Sequence, residues 1–108
     1  MQSMPLTAIQ RELAQRLQAA AMAAGSRRVV YRSEYLGYLP FGQYHWVTMG
    51  GKDVSARWPW DWERDDLEAL ARAGQLTRIS SWVNPQDNCE IEVQYDLAEP
   101  ERRTNPCN

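Results

Sequence analysis

One histidine, one phenylalanine, one lysine and two cysteines are all that this 108-residue chain has of those four types. The scarcity excludes much chemistry. A structural zinc site takes four Cys or His ligands at short spacings; His45, Cys89 and Cys107 stand far apart, so no metal is expected. A Cys–His nucleophile pair would have to join Cys89 to His45. Cys89 is in phase with the apolar side of its segment, where a buried thiol is inert. Two cysteines make no disulfide framework; free thiols fit a cytoplasmic protein, and a Cys89–Cys107 bridge would require an oxidising compartment. No apolar run is long enough to span a bilayer. The first residues lack the basic-then-apolar order of a signal peptide. A cytoplasmic protein with no membrane partner is therefore expected. Gly50-Gly51-Lys52-Asp53 is too short for a phosphate loop, which needs a longer glycine frame opening a helix. No cofactor is expected, and no enzyme.

Tryptophan is abundant instead: five residues, with five tyrosines beside them. Flat rings on this scale build either a core or a contact surface. Eleven of the twelve basic residues are arginine, the composition of a GC-rich bacterial genome. Net charge is −2, divided unevenly: residues 1–60 carry seven basic and three acidic groups, residues 61–108 five basic and eleven acidic. Such a division makes a dipole and suits head-to-tail association or a basic partner for the acidic half.

The clearest local signals run from Gln43 to Gly74. Tyr44, Trp46 and Thr48 alternate with His45, Val47 and Met49 as in a strand. Gly50-Gly51-Lys52-Asp53 is the turn, its paired glycines taking positive φ. The return strand is read as Val54–Trp58, stopped by Pro59, which has no N–H for the ladder. Asp61 is placed to cap a second helix, with Glu63, Asp65 and Asp66 at its positive end, Leu67, Leu70 and Ala71 as its apolar stripe and Gly74 as its stop. These carboxylates come from one helix start, whereas two-metal phosphoryl chemistry needs them to converge from different elements.

Upstream, Thr7 and Gln10 fit a capping box. Ile9, Leu13, Leu17, Ala20 and Ala24 recur at helical spacing, with Ala19-Ala20-Ala21 and Met22 small or pliable enough for close approach to a sheet. Gly25 ends this helix. Residues 28–36 alternate as a strand, with Val29, Tyr31, Ser33 and Tyr35 opposite Val30, Arg32, Glu34 and Leu36. The loop 37–42 carries apolar Tyr38, Leu39 and Phe41, either a patch for a partner or a loop folded over the sheet. Downstream, residues 75–83 alternate with Leu76, Arg78, Ser80 and Trp82 on one side, and Asn84–Asn88 is a turn. Cys89, Ile91, Val93, Tyr95 and Leu97 face in while Glu90, Glu92, Gln94 and Asp96 face out.

The order α-β-β-β-α-β-β predicts an α+β fold: an antiparallel sheet of about five strands with two helices on one face. Residues 1–97 form a single domain and 98–108 a disordered tail. The function expected is non-catalytic: an adaptor, regulator or inhibitor that binds another protein. Its contact residues are Tyr38, Phe41, Trp60, Trp62, Asp65 and Arg57, since aromatic rings and arginine anchor protein interfaces. Trp46, Trp58 and Trp82 are the candidates for the core. A homodimer is open.

Two resemblances supply alternatives. Leu67 to Arg78, the turn at Asn84–Asn88 and Val93 to Leu97 resemble the recognition helix and wing of bacterial winged-helix regulators, which implies a nucleic-acid partner. The acidic run from Asp61 to Glu68 has the wrong sign for phosphate. Val30-Tyr31-Arg32-Ser33-Glu34, within a helix-and-three-strand order, resembles the phosphotyrosine-binding SH2 arrangement. That implies a phosphopeptide-binding module with Arg32 gripping phosphate.

Overall fold

A computed structural model describes residues 5–35 and 43–99 of the chain. Tyr38, Phe41, Cys107 and the tail beyond 99 lie outside the described residues, as does the side chain of Cys89. The fold is α+β as the alternation implied. Helix α1 (Ala8–Ala24) precedes strands β1 (Arg28–Tyr35), β2 (Gln43–Met49) and β3 (Lys52–Asp53). Helix α2 (Arg64–Arg72) then leads to β4 (Leu76–Asn84) and β5 (Asp87–Leu97). The five strands form one antiparallel sheet in the order β3-β2-β1-β5-β4.

Both helices close over the same face of the sheet. Leu13 and Leu17 of α1 and Leu67 and Leu70 of α2 are fully buried in one cluster with Val29, Val47, Val93 and Tyr95. Each such aliphatic side chain contributes about 1.5–3 kcal/mol by leaving water. That outweighs the polar link between the helices, where Gln10 Nε2 donates to Asp66 Oδ1 at 3.0 Å, worth about 1 kcal/mol net. The opposite face carries no helix and presents Val30, Arg32, Glu34, Trp46, Glu92 and their neighbours to solvent.

The caps of α1 follow the expected chemistry. Gln10 N–H donates to Thr7 Oγ1 (3.1 Å) and Thr7 N–H to Gln10 Oε1 (3.0 Å). Gly25, at φ 67°, closes the other end. The buried stripe is Leu13, Leu17 and Ala21, so Met22, one residue further round, points to water rather than to the sheet.

Four expectations need correction. The return strand read as Val54–Trp58 is only Lys52–Asp53. Asp53 Oδ1 accepts from both the N–H and the hydroxyl of Ser55, each at 2.8 Å, and this local turn lifts the chain off the ladder. The cap of α2 is Glu63 rather than Asp61, because Trp62 N–H already donates to Pro59 O (3.1 Å) in a preceding turn. Asp66 Oδ2 then accepts from Glu63 N–H (2.9 Å). In β4 the register shifts between Arg78 and Ser80. This bulge reverses the alternation, so Trp82 pairs across from Glu92 on the open face while Ser81 and Val83 take the helix-side positions opposite Val93 and Ile91. Finally, Ala98, expected in a tail, is tied down: its N–H donates to Gln75 O (3.0 Å) and its carbonyl accepts from Gln18 Nε2 (2.9 Å).

The β2–β3 turn is two residues long, Gly50 at φ 60° and Gly51 at φ 82°. It abuts the end of α1: a Cβ on Gly50 would stand 3.1 Å from Ala24 Cβ, whereas one on Gly51 would meet open space. Either glycine replaced by alanine incurs left-handed strain of roughly 1–2 kcal/mol. Gly50→Ala adds crowding against α1, so its urea midpoint should fall clearly below that of Gly51→Ala. Equal losses would show that the helix end yields freely.

Candidate functional site

After β3 the chain crosses to α2 through a segment pinned at both ends. Val47 N–H donates to Ser55 Oγ (3.0 Å) and Val54 N–H to Val47 O (2.8 Å), fixing its start against β2. Trp58 and Trp62 are each 7% exposed and meet edge to face, with ring centroids 4.9 Å apart at 78°. Between them stand Pro59, with its fixed φ, and the Pro59–Trp62 turn. The turn breaks the two-residue periodicity that would otherwise send residues 58, 60 and 62 the same way. Trp60 is therefore thrown outward and is 94% exposed. Near it in sequence, Arg57, Asp61, Glu63 and Asp65 are all exposed.

Beneath this segment lies the sole histidine. His45 stacks face to face on Trp62, with centroids 4.1 Å apart and planes 1° from parallel. Its Nδ1 is 3.1 Å from Tyr31 Oη. In the Nε2–H tautomer the hydroxyl donates to the ring. Burial pushes the His45 imidazole below its ordinary range, with Glu63 opposing. Burial also pushes the Tyr31 hydroxyl up, against Arg64 and a hydrogen bond with Ser33. The cluster thus favours a neutral imidazole, and it connects β1 and β2 to the base of the Trp60 projection.

On the open face Arg32 is the hub. Its guanidinium meets Glu92 at 2.5 Å, Glu90 at 3.1 Å and Glu34 at 3.5 Å. Strand register sets Trp46, Arg32, Glu92 and Trp82 in one row across four strands. The Gln94 amide, which donates to Glu92 at 2.7 Å, holds that carboxyl below its ordinary range together with Arg32, against burial. Arg28 pairs with Asp96 (2.9 Å) further along.

Of the six expected contact residues, Arg57, Trp60 and Asp65 are exposed on this segment and the start of α2. Trp62 is not beside Trp60 on the surface; it is a core ring under His45. Of the tryptophans expected inside, Trp58 is buried, Trp46 half-buried and Trp82 exposed. The His45–Trp62 stack went unanticipated. No local pattern signals a stack between residues so far apart in sequence. The Arg32 hub had a visible trace in the acidic alternation of Glu90 and Glu92. Among the described residues no group of three or more His, Cys, Asp or Glu side chains is arranged to hold a metal ion. Nor, among them, is any helix long and apolar enough to cross a membrane.

No protein-family model matches the chain, and no curated protein or solved structure does either.

Two outcomes follow from the polar clusters. His45 sits below its ordinary value of 6.5, so the unfolded chain takes up the proton first. The stability associated with neutral His45 is whole above about pH 6.5 and is lost as pH falls below that value. Urea midpoints should therefore drop between pH 7.5 and 5.5, and His45→Asn should flatten that dependence. Replacing Arg32 leaves three carboxylates facing one another. Arg32→Gln should cost about 1–2 kcal/mol at pH 7. Glu92 is held below its ordinary range, so the loss should persist through mildly acidic pH and fade only once that carboxylate protonates; a pH-independent loss would mean that packing rather than charge is at work.

Proposed function

We propose that this domain is non-catalytic and works in the cytoplasm by binding another protein, with Trp60 as its anchor. The observation that carries the reading is the 94% exposure of Trp60 on a segment locked by buried Trp58 and Trp62. An indole held out in this way is preorganised. A partner gains its burial without meeting the cost of ordering the loop. An aromatic side chain of this class buries 150–250 Å², so at about 25 cal/mol per Å² its enclosure is worth roughly 4–6 kcal/mol at most. That is the scale of an interface hot spot.

The surroundings favour a protein over nucleic acid. Asp61, Glu63 and Asp65, exposed within five residues of Trp60, make this stretch of the chain acidic, which disfavours a phosphate backbone and suits a partner with basic side chains. The phosphopeptide alternative has less support. Arg32 already meets three carboxylates, and an incoming phosphate would have to displace them.

The test is affinity capture from nuclease-treated bacterial lysate with the wild-type chain and Trp60→Ala in parallel. Trp60 is almost wholly exposed, so its truncation should move the thermal midpoint little; surface changes stay within about 0.5 kcal/mol. The reading expects a stoichiometric protein retained by the wild type and depleted at least tenfold by the variant. Identical capture by both, or bound material that disappears with nuclease, would sink it.

A further inference from the structure

Beside the Trp60 segment, α1 and residues 53–58 border an open cleft of about 340 Å³. That is within the roughly 300–1,000 Å³ range of ligand pockets. Arg16, Arg57 and Asp53 line it over apolar Ala19, Val54 and Trp58. Three features give this cleft a chemical preference. Arg57 makes no ion pair or side-chain hydrogen bond among the described residues, so its fork of five N–H donors is unspent. Arg16 is engaged only through Nε, which meets Glu12 at 2.8 Å in an exposed pair one helical turn away, a weak, solvent-screened interaction. Asp53 is occupied by Ser55, yet its charge still faces the same space.

We propose that the protein partner of the Trp60 surface inserts an aspartate or glutamate side chain into this cleft, where Arg57 binds its carboxylate. The inference rests on the reading of Trp60 as the anchor, and it adds what the partner must carry next to the Trp60 socket. A carboxylate matches the guanidinium fork in shape. Asp53 discriminates: one negative charge held on Arg57 can be accommodated beside it, whereas a phosphate of nearly two charges meets repulsion. Trp58 couples the two halves of the surface. Its buried ring forms part of the cleft wall and, two residues on, fixes the base from which Trp60 projects.

The test uses the full chain labelled with ¹⁵N and two acetylated, amidated heptapeptides. One carries three consecutive aspartates between glycine and serine residues; the other carries asparagines in their place. The expected result is saturable movement of the Arg57 Nε–H and Trp58 Nε1–H resonances with the aspartate peptide alone. Arg57→Gln should weaken that binding at least tenfold, and Arg16→Gln less. Equal response to both peptides, or indifference to Arg57→Gln, would overturn the proposal. So would shifts produced by inorganic phosphate while the aspartate peptide leaves the resonances still. Trp60 does not line the cleft, so Trp60→Ala should leave this titration unchanged. A partner lost with Trp60→Ala in capture, combined with a silent peptide titration, overturns the cleft alone. A positive titration with capture indifferent to Trp60→Ala overturns the anchor and with it the assignment of the cleft to that partner.

Discussion

Leu13 and Leu17 from one helix and Leu67 and Leu70 from the other lie over the same face of the sheet, and the remaining structure depends on that burial. Two short amphipathic helices cannot hold themselves in water. The sheet cannot leave both faces wet without losing its own drive to form. Once the helices settle on one side, strand register decides the position of every other side chain. Tyr31, Val47 and Val93 go to the core, and Arg32, Trp46, Glu92 and Trp82 go to solvent.

The two faces solve the problem of polar groups differently. On the open side, charges are spread in cross-strand pairs around Arg32, where water screens them and each pair contributes little. On the closed side, the few polar atoms that enter are matched with specific partners. Tyr95 Oη donates to Glu68 Oε2 at 2.6 Å, and Glu68 also pairs with Arg78. Burial and the Glu68 carboxylate both push the Tyr95 hydroxyl up, so it remains a donor. His45 finds Tyr31 and the face of Trp62. No buried side-chain nitrogen or oxygen among the described residues lacks a partner. The polar contacts on the helix side thus specify geometry, while apolar area supplies most of the stability.

The Trp58–Trp62 segment brings both themes to the candidate surface. It leaves the ladder because Asp53 and Ser55 satisfy each other locally. It is held against the core by two indoles, and it ejects a third between them. A surface tryptophan on a mobile loop would fold back onto apolar neighbours; one braced by Pro59 and two buried rings has nowhere to retreat. The same bracing holds the Trp58 ring that forms part of the adjoining cleft's wall.

The kinds of element were legible in the chain because they rest on near neighbours. The Thr7–Gln10 box, the Gly50-Gly51 turn, Gly74 after α2 and the alternation of Ile91, Val93, Tyr95 and Leu97 are each settled within a few residues, where propensity and hydrogen-bonding reach are local. Where local rules competed, the sequence was ambiguous. Asp61 and Glu63 both suit a helix cap, and only the Pro59–Trp62 turn selects between them. The alternation in β4 reads as unbroken until pairing with β5 introduces the bulge and sends Trp82 to the open face. The candidate site was half visible: Trp60, Arg57 and Asp65 stand out by residue type, but nothing nearby in sequence separates Trp60 from Trp62. Which indole is buried depends on whether a ring from another strand lies beneath it, and His45, seventeen positions earlier, is that ring. Sequence by itself determined what each segment becomes. The tertiary structure alone decided which side chains face water, because burial depends on residues brought together from across the chain.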